Sequence, residues 1–312
     1  MKFGSRSIKQ VAASWVNELA LRDAATLIGD GERYYHRNVS EVADYLFEHH
    51  GSVRILLLAG PSASGKTTTA RKISALLQQK GMQAPVVSLD DFYRNTADLP
   101  LEADGRPDYE TLDALDVPEI QRCFTELVET GASELPRFDF SHKRRAKRRT
   151  SIRLGAEGVL IVEGIHALNP VLVSGLGDTG FLRIYISVLT ELVEGEETVL
   201  SARDCRLIRR IVRDQRHRGS PMEETLDMWE SVCRGEERWI QPFAQTADAM
   251  IDSMHYYEPC IYPSFLRGAI ATVPADSRYA GTAARLNRLL DRFQALDPAC
   301  TPEDSLLQEF IG

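Results

Sequence analysis

The chain has 312 residues, 43% of them hydrophobic and 26% charged, with a formal net charge of −8. That composition suits a globular protein with a sizeable core and excludes both a disordered chain and a molecule whose whole surface attracts polyanions, so any basic site is local. Five scattered cysteines (Cys123, Cys205, Cys233, Cys260, Cys300) with no C-x-x-C pair, no apolar run of membrane-spanning length and no signal-like N-terminus argue against a disulfide framework, a zinc site and a membrane protein, and lead to the expectation of a cytoplasmic protein.

Residues 1–50 read as helical. "SIKQVAASWVNELALRDAATLI" sets Ile8, Val11, Trp15 and Leu19 near one face, and "NVSEVADYLFEHH" supplies a second segment. Gly51 and Ser52 break into a buried strand, Val53 to Ala59. The turn "GPSASGKT" fills 60–67, and "TTARKISALLQQKG" continues as a helix that stops at Gly81. A second strand is predicted within 84–93, "APVVSLDDFY", followed by a polar loop over 94–110. A helix spans 115–131, with Pro118 in its first turn and Gly131 past its end. "ELPRFDFSHKRRAKRRTSIRL" reads as strand and loop. Buried strands follow at 158–164 and 181–188, an arginine-rich helix at 198–217, and further helices in "MEETLDMWESVCRGEERWI" and 280–296. Strands alternating with helices predict an α/β fold, a parallel sheet in three layers with helices on both faces. The expected organisation is an N-terminal helical extension (1–50), a core (51–270) with a lid around 203–220, and a C-terminal helical extension (271–312) packed on that core.

The turn at 60–67 has the spacing G-x-x-x-x-G-K-[ST] between a buried strand and a helix, the context a P-loop needs. Glycines let backbone N–H groups converge on phosphate oxygens, and the helix N-terminus adds partial positive charge. Gly60, Pro61, Ser62, Ala63, Ser64, Gly65, Lys66, Thr67 and Thr68 are therefore candidate nucleotide-binding residues, with ATP as the expected nucleotide. Lys66 is expected to reach the β and γ phosphates, and the Thr67 hydroxyl to ligate Mg²⁺.

Three other segments carry chemistry. "SLDDFY" sets Asp90 and Asp91 at the C-terminal end of the second strand, which in an open parallel sheet faces the ligand crevice. A carboxylate there can take the proton of an attacking hydroxyl. "VLIVEGIH" ends a buried strand with Glu163, an acid suited to holding Mg²⁺, and His166 follows. In "RDCRLIRRIVRDQRHRG", Arg206, Arg209, Arg210 and Arg213 share a helix face broadly, where guanidinium groups could neutralise a transferring phosphoryl group.

In order, "GPSASGKT", "LDDFY", "PRFDFSH", "VLIVEGIH" and "RLIRRIVRD…RG" resemble the motifs of the uridine kinase/phosphoribulokinase family of P-loop kinases, from about residue 53 to 220. The chain most resembles a bacterial uridine-kinase-like group in which the kinase domain follows a threonyl-tRNA-synthetase-like region. "WESVCRGEERWIQPF", "YYEPCIYP" and "PEDSLLQEFIG" fit that group, although only a short helical stretch stands ahead of the kinase part here. The resemblance implies a P-loop NTPase fold, ATP and Mg²⁺, and a small-molecule acceptor, a nucleoside. It implies Asp90 as base, with Asp91 beside it, and Thr67, Glu163 and Asp90 around the metal. "DYETLDALD" (108–116) then sets Glu110 at the ribose-binding acid and Tyr109 at its aromatic neighbour. Arg206 and Arg209 become base-side and lid arginines that join Lys66 and Asp90 in catalysis, and Arg213 and Arg218 grip the nucleotide. Two departures stand out. Phe138 replaces a tyrosine that helps hold the pyrimidine, which removes a hydrogen bond worth about 0.5–1.5 kcal/mol. His142, also expected at the acceptor, comes one residue early, and Thr111 and Leu112 stand where the family has histidine and proline.

"HKRRAKRR" (142–149) sets six lysines and arginines in eight residues. A solvated hairpin or loop, an electrostatic guide for phosphorylated ligands, and a nucleic-acid contact are all open to it; no aromatic interleaving of the RNA-binding kind accompanies it. Two alternatives to a nucleoside kinase follow, a phosphoribulokinase-like sugar-phosphate kinase and a nucleotide-responsive protein that binds RNA or a protein partner. The absence of an N-K-x-D motif argues against a GTPase switch.

Overall fold

Alternation along the strand after Ser52 decides the architecture. Ile55, Leu57 and Ala59 enter one apolar cluster, while Leu56 and Leu58 enter another. A strand buried on both faces has to be central, with helices above and below it. The structure is a computed structural model and describes residues 8–312.

In chain order, β1 (Lys9–Ala12) leads into α1 (Ala13–Arg22) and α2 (Ala24–Glu48), followed by β2 (Ile55–Ala59), α3 (Lys66–Gln79) and β3 (Val86–Ser88). Then come α4 (Val117–Thr130) and four short strands, β4 (Ala132–Leu135), β5 (Phe138–Asp139), β6 (Arg144–Arg145) and β7 (Thr150–Arg153). β8 (Leu160–Glu163), β9 (Phe181–Ser187), β10 (Thr190–Glu194) and β11 (Glu197–Leu200) precede α5 (Ala202–Arg218), α6 (Met222–Gly235) and α7 (Gln241–Ala244). The chain closes with β12 (Ala249–Asp252), α8 (Glu258–Ile261), α9 (Pro263–Ala271), α10 (Ala280–Leu290) and α11 (Gln308–Ile311).

The main sheet has the order β12-β9-β2-β8-β3, every pair parallel. This is the three-layer parallel α/β arrangement expected from the sequence. One face is covered by α1, α2, α3, α5, α9 and α10, the other by α4 and the segments around β4 and β7. α4 begins as its sequence dictates: the Asp116 carboxylate accepts the Glu119 N–H, proline lies in the first turn, and Gly131 takes the left-handed conformation at the end.

Several elements differ from expectation. The predicted strand over 84–93 is extended only at Val86–Ser88, and Leu89–Phe92 then tightens into a 3₁₀ turn. β1, the β10–β11 hairpin and β12 were not predicted. β1 pairs in parallel with β10, so the N-terminal segment is not wholly helical. α1 consequently buries Ala13, Val16 and Ala20, while Ile8 and Trp15 of the expected face stay exposed. Apolar residues of α1 and α2, and Leu306, Leu307 and Phe310 near the C-terminus, join one cluster with the sheet. Among the described residues, no helix is long and apolar enough to cross a membrane.

Candidate active site

The site forms where β2, β8 and β3 end side by side. Glu163, the last residue of β8, is in register with Leu58 on one side and Ser88 on the other. The turn after β2 starts at Gly60, where an added Cβ would lie 2.0 Å from the Ile186 carbonyl oxygen, so a larger residue cannot pass the end of β9. Gly65 caps α3 at φ 86°, a left-handed conformation that favours glycine. The Lys66 ammonium donates to the Pro61 carbonyl at 2.9 Å, and the Thr67 hydroxyl donates to Glu163 Oε1 at 3.2 Å.

Charges converge here. Asp90 is exposed to the crevice, yet its pKa is raised, because the crowded walls around it hinder hydration while Lys66 opposes the effect. Burial, and then the nearby charge of Asp90, push Glu163 up to about 7, with Lys66 again opposing. Desolvation lowers Lys66, countered by Glu163, Asp90 and Glu309. Glu110 is also pushed up to about 7, chiefly by burial, against the attraction of Arg210 and Lys66. Its close neighbour is Gly235, where an added Cβ would lie 2.3 Å from the Glu110 Cβ. Burial drives His166 down to about 4, so this packed ring is neutral.

Of the acceptor-side residues expected from sequence, Tyr109 and Phe138 each meet Tyr93 edge-on, with ring centroids 5.8 Å apart, and the Tyr93 hydroxyl donates to the Tyr109 carbonyl at 3.1 Å. Asp91 does not share the role expected of Asp90. It accepts the Phe138 N–H at 3.1 Å and so anchors β5. His142 lies exposed beyond β5, its ring bonded to Asp139 at 2.8 Å rather than gathered with the aromatic group. The basic run is divided. Arg145 donates to the Phe92 and Tyr93 carbonyls and pairs with Asp116, and Arg149 pairs with Glu119, whereas Lys143, Arg144, Lys147 and Arg148 are exposed.

The arginines of α5 separate along the helix. Arg206 reaches the Ser62 carbonyl at 3.3 Å while paired with Glu236 at 2.6 Å, in a π-helical turn that follows α6. Arg210 donates to the Ser62 hydroxyl at 2.8 Å. Arg209 is fully buried and bonds Glu258 through two nitrogens at 2.7 and 2.8 Å, Ser253, and the Ala63 carbonyl at 3.3 Å. These contacts brace the turn from behind, which differs from the lid position expected of Arg209. Arg213 and Arg218 lie further along α5. With Thr67, Thr68, Arg71 and His217 they line an open cavity of about 550 Å³ beside the turn. Gln308 and Glu309 complete its wall, and sequence reasoning missed both, as it missed the anchoring acids Glu236 and Glu258.

A five-stranded parallel sheet with a glycine-rich turn leading from its central strand into a helix is the P-loop arrangement. The chain belongs to the phosphoribulokinase/uridine kinase family, whose sequence profile matches residues 55–258. Membership implies use of ATP. The chain is 30% identical over 220 residues to a uridine kinase of Borrelia duttonii, an alignment covering 69% of this chain and 95% of the relative. It is 29% identical over 196 residues to a uridine kinase of Halobacterium salinarum, covering 62% and 77%. Among solved structures, phosphoribulokinase from Rhodobacter spheroides aligns with a TM-score of 0.42 at 20% identity, covering 63% of this chain and 68% of that one.

Proposed function

We propose that this kinase transfers the γ-phosphoryl group of ATP to a hydroxyl of a small acceptor of the nucleoside class. The observation that carries the proposal is the convergence of Asp90, Lys66 and Glu163 at one end of the sheet, close enough that each shifts another's pKa. The turn amides and Lys66 hold the phosphates, Lys66 exchanging the Pro61 carbonyl for phosphate oxygens. Asp90 takes the proton from the acceptor hydroxyl as its oxygen attacks the γ-phosphorus and ADP leaves. A carboxylate of raised pKa is a stronger base than an ordinary aspartate, which suits that step.

Thr67, Glu163 and Asp90 offer the hard oxygen ligands that Mg²⁺ takes. Burial first, and the charge of Asp90 second, raise Glu163, and a divalent cation held by these residues would favour its ionised form. When bound, Mg²⁺ neutralises charge on the β and γ phosphate oxygens. Arg206 and Arg210, tied to the backbone and hydroxyl of Ser62, hold the turn in shape and bring positive charge to it. Arg213 and Arg218, on the cavity wall, face the nucleotide. On the acceptor side, the edges of Tyr93, Tyr109 and Phe138 suit a flat base, and Glu110 suits ribose hydroxyls. The uridine kinase relatives support a pyrimidine nucleoside.

A coupled ADP-release assay over nucleosides, free sugars and sugar phosphates tests the proposal. Turnover with a nucleoside is expected, and its absence with every nucleoside would overturn the acceptor class. Asp90→Asn should lower kcat by about 10²–10⁴-fold, while affinity for ATP measured without Mg²⁺ stays within about twofold. Loss of ATP affinity instead would make Asp90 a donor-site residue.

A further inference from the structure

The C-terminal helix lies on the turn that grips the donor. The Glu309 carboxylate accepts both the Thr68 backbone N–H, at 3.2 Å, and the Thr68 hydroxyl, at 2.6 Å. Thr68 is in the first turn of α3, where the amide has no partner within the helix and is free for an anion. Its neighbour Gly65 has no side chain with which to cap that end. A Cβ on Gly65 would lie 2.4 Å from Leu306, so the tail rests directly on the turn.

We propose that Glu309 is a built-in competitor for the donor's phosphates: it occupies the Thr68 donors and has to release them before ATP seats fully. This rests on the proposal that the turn at 60–67 binds ATP. The anchoring of the tail makes side-chain rotation, rather than tail release, the moving step. Leu306, Leu307 and Phe310 are fully buried, and the Phe310 ring lies 5.1 Å from the Arg209 guanidinium. The Tyr257 and Ser305 hydroxyls hydrogen-bond at 3.1 Å, and the Gln308 amide donates to the Pro302 carbonyl at 3.0 Å. Glu309 itself is only half-buried and borders the cavity that Arg71, Arg213 and Arg218 also line. Those cations can receive its carboxylate once it leaves Thr68. The same negative charge acts on Lys66, so even a displaced Glu309 opposes an incoming triphosphate.

Calorimetric titration of the full chain and its Glu309→Ala and Glu309→Gln variants with MgATP and with adenosine tests this. A hydrogen bond to a charged group is worth about tenfold or more in an equilibrium, so Glu309→Ala should bind MgATP about tenfold more tightly. Glu309→Gln keeps an acceptor for Thr68 but loses the charge, and should gain about threefold. Adenosine carries no phosphate and should bind all three alike. Unchanged or weaker MgATP binding by Glu309→Ala, with wild type binding normally, would make Glu309 a helix cap or a donor-site ligand and overturn the proposal. Equal tightening for adenosine would also overturn it, because relief of phosphate competition cannot act on that probe. If neither wild type nor Glu309→Ala binds MgATP, the donor-site proposal falls and this one with it.

Discussion

Arg209 offers a direct test of whether a buried guanidinium next to the turn is a brace or a participant. Its side chain and that of Glu258 are both 0% exposed, and two nitrogen–oxygen contacts of 2.7 and 2.8 Å join them. Glu258 also accepts the Tyr262 hydroxyl at 2.6 Å and the His255 N–H at 3.0 Å. Glu258→Gln would leave the Arg209 charge buried without a counterion, and Arg209→Gln would leave Glu258 the same way. Breaking a buried pair from one side costs about 3–5 kcal/mol. For a chain of 312 residues that corresponds to a fall in Tm of about 5–8 °C. The double variant Arg209→Gln/Glu258→Gln removes both charges and keeps one acceptor oxygen at 258 for Tyr262 or His255. It should be more stable than either single variant, recovering about half of the loss. Thermal unfolding followed by circular dichroism gives the three shifts, and the coupled assay at a temperature where all are folded gives activity. A bracing Arg209 predicts that the double variant recovers turnover along with stability. A double variant that is folded and binds ATP, yet transfers no phosphoryl group, would return Arg209 to the reaction and refute this reasoning.

Two further outcomes follow from the site. Glu163 is 3% exposed and its pKa is raised from 4.5 to about 7, so between those pH values the native state binds more protons than the unfolded state and stability falls as pH rises. Over that window the loss is about 2–3 kcal/mol. Glu163→Gln should flatten it, seen as a smaller difference in Tm between pH 5 and pH 8 than in wild type, and an equally steep profile in the variant would rule Glu163 out as its source. Gly235→Ala gains helix propensity of about 1 kcal/mol but drives a methyl into Glu110, an overpacking cost of about 1–3 kcal/mol. Steady-state kinetics should show the acceptor KM rising about tenfold with donor KM unchanged, and an unchanged acceptor KM would remove Glu110 from the acceptor site.

What the sequence showed and what it hid divide along contact distance. The strand–turn–helix at 53–81 was legible because local residues make it: an apolar run, glycines at the two tight positions, and Gly81 at the end. Asp90 and Glu163 were legible as strand-end acids, since a parallel sheet brings its strand ends together. β12 was not, because "AMID" is four residues long and owes its extended form to pairing with β9, more than sixty residues earlier. The fate of Arg209 was hidden for a similar reason. Helical spacing set it on a face with Arg206 and Arg213, but whether that face meets phosphate or core depends on Glu258, 49 residues away. Glu309 lies 241 residues from Thr68, and no periodicity connects them. Its one sequence signal was the apolar pattern of Leu306, Leu307, Phe310 and Ile311, which needs a surface to bury against. That surface is α5 together with the turn at 60–67. Gln308 and Glu309, carried between those four, are therefore held beside the proposed phosphate site, and Glu309 is acidic where a polyanion binder would gain from a neutral or basic residue. Packing alone does not call for that charge, which is the reason to treat Glu309 as functional and to test it by its effect on donor affinity rather than on stability.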